Sequence, residues 1–472
     1  MIAIDPTLSP KNLLPGIDRL FELSGAKILA LQEEWDESKG TPVFTVRGRY
    51  TSRGWTEWTR GFQFGSALLQ FDATGEQAFL RLGRAATLTR MSGHLTHTGV
   101  HDHGFNNVST YGNLLRLMDE GRIPEEPWER AFYELALKVS GAVQAARWTE
   151  LPEGFGYIFS FNGPHSLFVD TLRSLRALGL AHQLGQVLMG EQDARISLLE
   201  RLLKHALTTA RFNLYWGEGR DAYDVRGRTV HEAVFNTRNG SFRCPSSQQG
   251  YSPFSTWTRG LAWAICGCGE LAEFLDFLPA AAFQGISAGG LSGRQAFLAR
   301  CLEAGEAVSD FYLENTPADG IPYWDTGAPG LSRLGNYLEK PADPFNEHEP
   351  VDSSAAAIAA QGLLRLGRLL STRGCKEKGD RFFQAGLTVA GTLFAAPYLC
   401  EDPGHQGLLL HSVYHRPNGW DYVPAGRSVP CGESSMWGDY HARELGVYLK
   451  RLAQEGPYHV FYLKERTKEL AR

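Results

Sequence analysis

Residues 258–272 read TRGLAWAICGCGELA. Leu261, Ile265, Cys268 and Ala272 recur at helical spacing and share one face. Arg259 and Trp263, four residues apart, fall on roughly the opposite face. A helix of this kind packs one side against its neighbours and turns an Arg/Trp side toward a cavity, as a member of an inner ring would. A second stretch, DSSAAAIAAQGLLRL at 352–366, carries the same period. Its stripe of Ala356, Ala359, Ala360, Leu363 and Leu364, continued by Gly367, is small enough for close helix contact.

Working outward, the dominant period stays near 3.6 and convincing alternation is scarce, so the chain reads as mainly α. Amphipathic helices are expected over Leu13 to Glu34, Gln77 to Met91 and Pro127 to about Ala146, and around Val108, Tyr111, Leu115 and Met118. Others are expected to begin near Pro164, Leu180, Arg294, Lys376 and Glu433. With the two above, this gives about eleven to thirteen helices separated by Gly/Pro/Asn-rich loops. A cadence of roughly 40 residues suits helix pairs arranged in a toroid, with an irregular helical domain as the alternative. No charged or Ser/Gly-rich linker divides residues 1–472, which predicts a single domain. The irregular stretches at 279–292, 327–351 and 400–433 read as loops inserted between helices.

The composition is that of a globular chain: 472 residues, 43% apolar and 21% charged. Its unusual feature is aromatic content, with 11 Trp, 17 Tyr and 26 Phe, which suits either a core of large side chains or a cleft for sugar rings. Net charge is −5 and no like-charged run stands out, which argues against nucleic acid as a partner. Seven cysteines without a C-x-x-C pair argue for free thiols. No signal-like start and no stretch of about 18 apolar residues is present, so the expectation is a soluble cytoplasmic protein without membrane association.

Three segments could carry chemistry. His94, His97, His101, Asp102 and His103 crowd into ten residues, but Gly93, Gly99 and Gly104 favour a loop over a helical metal motif. That loop either presents a carboxylate and an imidazole to a substrate or is purely structural. Asp170, in HSLFVDTLRSLRALGL, falls on an apolar helical surface, where a charge is costly unless paired or facing a polar cavity. Burial and a second carboxylate such as Asp102 would raise its pKa toward the range of proton exchange near neutrality. Capping or ion pairing would equally account for it. Finally, residues 248–263 gather Gln249, Tyr251, Trp257, Arg259 and Trp263, a mixture that suits a sugar acid. The plainer reading places Trp257 and Trp263 in the core and pairs Arg259 with an internal acid. A G-x-G-x-x-A match at Gly267–Ala272 lies inside a helical pattern with no strand before it, so no dinucleotide site is expected.

Six segments in order complete the reading: HDHGF (101–105), VDTL (169–172), QGY with WTRGLAW (249–263), GIPYWDTGAP (320–329), DSSAAAIAAQGLLRL (352–366) and MWGDY (436–440). From about residue 55 to 450 the chain resembles the unsaturated glucuronyl hydrolases of glycoside hydrolase family 88, and less closely the unsaturated rhamnogalacturonyl hydrolases of family 105. The resemblance implies an (α/α)6 barrel, with enlarged loops in this chain, that takes oligosaccharides ending in a Δ4,5-unsaturated uronic acid. Such enzymes hydrate the C4=C5 vinyl ether and so release the uronyl residue, with no metal or cofactor. It further implies Asp170 as proton donor and base, Asp102 as its partner carboxylate, and Trp58, His101, His231, Gln249, Arg259 and Trp263 as substrate contacts. Phe62-Gln63-Phe64-Gly65 departs from the F-W-x-G of that family. Another helical-toroid carbohydrate enzyme, or a binding protein with an idle acid pair, is the competing expectation.

Overall fold

The computed structural model describes residues 1–54 and 57–464. Among these residues, twelve helices have seven residues or more: α1 (Leu14–Glu34), α2 (Arg60–Thr74), α3 (Gln77–Arg90), α4 (Asn113–Asp119), α5 (Pro127–Ala146), α6 (Arg176–Gln183), α7 (Leu198–Phe212), α8 (Thr258–Phe277), α9 (Arg294–Glu314), α10 (Ser353–Thr372), α11 (Lys376–Leu393) and α12 (Met436–Ala453). Helices α2 and α7 add to the expected set. In α7 the signal was present, since Leu198, Leu199, Leu202, Leu203 and Leu207 form one buried face.

Six helical runs form a closed circuit of contacts. Helix α2 packs on α12, α12 on α10, and α10 on α8. Helix α8 meets the one-turn helix Thr171–Ser174 that leads into α6. That turn meets His103–Asn106, at the head of the run into α4, and His103–Asn106 returns to α2. The other helices lie against this circuit: α1 and α3 on α2, α5 and α7 on α6, α9 on α8, and α11 on α10. Capping sets some of the starts. Asp352 accepts from the Ser354 and Ala355 amides at the head of α10, satisfying donors that a helix start leaves open. The small stripe of α10 lets it approach α8 closely. A Cβ on Gly362 would lie 2.5 Å from the Ile265 carbonyl carbon.

The segment before Asp170 differs from the helix expected near Pro164. Ser166–Phe168 is a strand, β1, paired antiparallel with β2 (Glu232–Phe235), which in turn pairs with β3 (Phe242–Ser246). Phe168 and Val169 are buried through this sheet and its contacts, so their apolarity is that of a short inner strand, which periodicity over so few residues does not separate from a helix. Asp170 then stands at the junction where the chain turns into Thr171–Ser174.

The circuit's interior is filled, in part by charge. Arg173, one turn beyond Asp170, donates to Glu444 Oε2 at 2.6 Å and lies 2.9 Å from Glu270 Oε2, all three fully enclosed. No helix among the described residues is long and apolar enough to cross a membrane.

Candidate active site

A cleft with a cavity volume of about 430 Å³ opens at the end of the circuit where Asp170 sits. Asp102 and Asp170 lie in its wall with 6% and 8% of their surface exposed. Both follow from local geometry. Asp102 immediately precedes His103–Asn106, and Asp170 immediately precedes Thr171–Ser174. The two turns touch closely: a Cβ on Gly104 would lie 2.2 Å from the Ser174 carbonyl oxygen. Ser174 Oγ donates to the His101 carbonyl at 2.8 Å, and Gln144 Nε2 donates to the same oxygen at 2.7 Å. The glycine of HDHGF thus brings the two acid-bearing segments together, which its spacing in the sequence did not reveal.

His101 Nε2 lies between the acids, 3.5 Å from Asp102 Oδ1 and 3.7 Å from Asp170 Oδ1. Its ring is held by Phe168 edge-on at 5.5 Å and by Phe161 in a stacked arrangement at 6.0 Å. Burial pushes the Asp102 carboxyl up to about 6; the His101 charge opposes this and the Asp170 charge adds to it. Burial acts on Asp170 in the same direction, but His101 and His231 outweigh it and hold Asp170 below the usual carboxylate range. Burial disfavours the His101 imidazolium, yet its two carboxylate neighbours raise it above the ordinary histidine value. Together these three residues offer one ligand atom each within 4.8 Å of one another, an arrangement that could hold a metal ion.

The remaining histidines of the cluster serve the loop. His103 pairs with Ser140 Oγ at 3.1 Å and with the His97 carbonyl at 3.0 Å, and burial lowers it to about 4. His94 meets Asn106 Nδ2 at 3.2 Å, and burial likewise lowers it to about 4.

Trp58, Gln249, Arg259 and Trp263 all line the cleft. Trp58 stacks on Trp437 at 5.1 Å, and Trp263 packs on Phe105 at 4.8 Å. Arg259 is almost fully buried and its Nη atoms meet protein: Nη1 donates to Asp352 Oδ2 at 3.1 Å and to the Val413 carbonyl, while Nη2 donates to Gln249 Oε1 and the Tyr414 carbonyl, both at 2.8 Å. Asp352, at the head of the second quoted stretch, is therefore the internal acid that the plainer reading anticipated. His231 stands behind the wall. Its Nδ1 accepts from the Gln248 and Gln249 amides at 3.1 and 3.4 Å, and burial lowers it to about 4. The accepting Nδ1 leaves the neutral ring's proton on Nε2.

Of the aromatic residues ahead of Asp170, Phe161 lines the cleft and is 37% exposed, whereas Tyr157 is in the core and Phe159 lies beneath the Arg147 guanidinium. Gln63, the departure within the early aromatic segment, faces Lys27 and Ile28 of α1, away from the cleft. Tyr414, His415, Asn418 and Trp420 also line the cleft, and none of them was singled out by the motifs. They belong to the irregular stretch 400–433. There, Asp421 accepts from the Tyr414 amide at 2.5 Å and from the His415 amide at 3.1 Å, folding the loop back on itself. The only available signal was a run of aromatic and amide side chains in a loop of unusual length.

No protein-family model matches the chain. It is 26% identical over 407 residues to an unsaturated glucuronyl hydrolase of Bacillus sp. (strain GL1), covering 85% of this chain and 89% of that one. It is 24% identical over 468 residues to an unsaturated chondroitin disaccharide hydrolase of Streptococcus pyogenes serotype M1, covering 94% and 95%. Among solved structures, an unsaturated glucuronyl hydrolase specific for heparin superposes with a TM-score of 0.69 at 19% identity, over 93% of this chain and 98% of that one. The Bacillus sp. GL1 unsaturated glucuronyl hydrolase gives 0.67 at 22% identity, over 94% and 98%. In sequence and in fold, the chain is a relative of the unsaturated glucuronyl hydrolases.

Proposed function

We propose that this protein is a glycoside hydrolase that hydrates the C4=C5 bond of a Δ4,5-unsaturated uronyl residue at the non-reducing end of an oligosaccharide, releasing that residue. The observation that carries the reading is the placement of His101 Nε2 between Asp102 and Asp170 in the wall of a sugar-sized cleft. We read the closed circuit of six helical runs, with outer helices against it, as an (α/α)6 barrel formed by one domain. We also place the protein in the cytoplasm; its seven cysteines carry free thiols.

Hydration of a vinyl ether requires a proton donor, a base and a water. Asp170 gives a proton to C4, and positive charge develops at C5 and the ring oxygen. The resulting carboxylate takes a proton from water as that water adds to C5. The product is a hemiketal, which opens and lets the neighbouring sugar leave. One carboxyl group thus serves as acid and then as base.

The charges of the site set the order of events. With Asp170 held low and both Asp102 and His101 raised, Asp170 is the first of the three to give up its proton as pH rises. An arriving uronate adds a negative charge and expels water, and both effects raise neighbouring carboxyl groups. A proton then passes from His101 to Asp170. Asp102 stabilises the imidazolium before the transfer and limits ionisation of Asp170 after it.

Arg259 acts here as a positioning residue. Its bond to Gln249 Oε1 orients the amide, so that Nε2 is the group Gln249 offers to the sugar. Trp58, Trp263 and Phe161 provide faces for the uronyl ring, and the 414–420 wall meets the sugar that leaves.

A panel of lyase-generated unsaturated disaccharides tests the reading. Wild-type protein consumes the conjugated double bond of at least one of them, read as loss of absorbance, and Asp170→Asn does not. Wild-type-like turnover in the folded Asp170→Asn variant would sink the assignment.

A further inference from the structure

We propose that His101, Asp102 and Asp170 form a competitive site for a borderline divalent cation of the zinc class, which occupies the space where the catalytic protons reside. The first ground is geometric. A tetrahedral zinc ion with bonds of about 2.0–2.2 Å to nitrogen and oxygen places its ligand atoms about 3.4 Å apart. Here two of the three edges are 3.5 and 3.7 Å, and the third lies within 4.8 Å, inside the reach of a carboxylate rotation.

The second ground is the state of the donors. His101 is 1% exposed, yet its Nδ1 has no hydrogen-bond partner among the described residues, and its Nε2 meets the Asp102 and Asp170 carboxylates at 3.5 and 3.7 Å, beyond the length of a good hydrogen bond. Buried polar atoms without partners are rare and mark a place where something else binds. Two carboxylates and a neutral imidazole cancel a double positive charge, and the cleft leaves room for a water or a sugar oxygen as the fourth ligand. One imidazole among the donors favours zinc-class ions over magnesium, which takes oxygen ligands almost exclusively.

The same structure argues that the ion is a guest and not a resident cofactor. A histidine that holds a resident metal usually donates its second ring N–H to a carboxylate or carbonyl, and loss of that partner weakens binding about 10- to 100-fold. His101 Nδ1 has no such partner among the described residues. The expected result is reversible, micromolar occupancy. Binding itself does not depend on the reaction assigned above; its inhibitory consequence does rest on that reading.

The experiment is calorimetric titration of ZnCl2, and separately MgCl2, into chelator-treated full-length protein, repeated with Asp102→Asn and His101→Gln. The expected outcome is one micromolar site for ZnCl2, no measurable site for MgCl2, and at least tenfold weaker zinc binding in each variant. In steady-state assays zinc raises KM with kcat unchanged, and excess chelator restores the original value. Should either variant fail to fold, anomalous diffraction from zinc-soaked crystals of the wild type decides instead, with a peak expected within bonding distance of the three donor atoms. No saturable binding below about 1 mM, equal affinity in wild type and folded variants, or a peak confined to other residues overturns the proposal. Zinc seated at the triad of a protein that leaves every unsaturated disaccharide intact overturns the reaction instead.

Discussion

Arg259 Nη2 donates to Gln249 Oε1 at 2.8 Å, while the opposite edge of the guanidinium is bonded to Asp352. The arginine in the cleft wall is therefore part of the scaffold. Arg259→Ala leaves the Asp352 carboxylate buried without its ion partner, and breaking such a pair costs about 3–5 kcal/mol. Urea unfolding should show a loss of that size. Gln249→Ala leaves Arg259 Nη2 with the Tyr414 carbonyl, so it should cost less stability than Arg259→Ala, and it should raise KM about two- to tenfold, the effect of one hydrogen bond worth roughly 0.5–1.5 kcal/mol. Unchanged stability in Arg259→Ala would show that the pair with Asp352 is not structural.

Asp102 gives the fold a pH dependence of definite sign. Its carboxyl is raised from 3.8 to about 6, so the folded protein holds this proton more tightly than the unfolded chain. The stability it contributes is fully present below about pH 4 and is lost as pH rises through about 6. Asp102→Asn removes the group. Relative to wild type, the variant should gain stability progressively between pH 4 and 6 and hold that gain at pH 7.5. Denaturant titrations at pH 4.5 and 7.5 measure it, and a gain that is larger at the acid end runs against the burial argument.

Catalysis should depend on the same protons. Because the acids and His101 interact strongly, the apparent pKa belongs to the group as a whole. kcat/KM should fall on the alkaline side, as the group loses the last proton that Asp170 must receive, and the Asp102→Asn variant, besides being much slower, should show a displaced limb. A profile unchanged by Asp102→Asn would detach Asp102 from the titration.

Gly104 tests how closely the two acid-bearing turns must approach. Gly104→Ala places a methyl group 2.2 Å from the Ser174 carbonyl oxygen, and overpacking of this kind typically costs about 1–3 kcal/mol. The turns must separate, which moves Asp170 relative to His101. The expected signature is a drop in kcat larger than any change in KM, with the helical circular dichroism retained.

The 411–421 loop supplies a wall of the cleft that carries none of the acids. Trp420→Ala should raise KM by the order of 1 kcal/mol, about fivefold, if its face meets the leaving sugar as aromatic faces do. Asp421→Ala should do the same by releasing the Tyr414 and His415 amides. Both variants should retain loss of the double bond at saturating substrate.

The helices were largely legible because their apolar residues recur with a clear period, as in the Leu261–Ala272 face of α8 and the alanine stripe of α10. Asp170 was legible as a residue but not in its setting. The three residues of β1, Ser166, Leu167 and Phe168, are too few to separate strand from helix, and only pairing with β2 settles them. For Arg259 the side-chain type and the cleft position were readable, but its commitment to Asp352, 93 residues away, was not. The four residues of the 414–420 wall carry no periodicity, and the backbone folds them inward through Asp421, a contact that no spacing in the sequence encodes.

The central claim is that the double bond, and not the glycosidic bond, is attacked first. It is tested most directly by offering the protein an unsaturated disaccharide whose glycosidic oxygen is replaced by sulfur, in deuterated water, and following the reaction by NMR. Attack at the anomeric carbon leaves such a linkage largely intact, whereas hydration does not depend on it. The account predicts loss of the C4=C5 signals and one deuterium on C4 with the wild type, and neither with Asp170→Asn. An oxygen-linked substrate cleaved while its sulfur-linked counterpart keeps its double bond would contradict it.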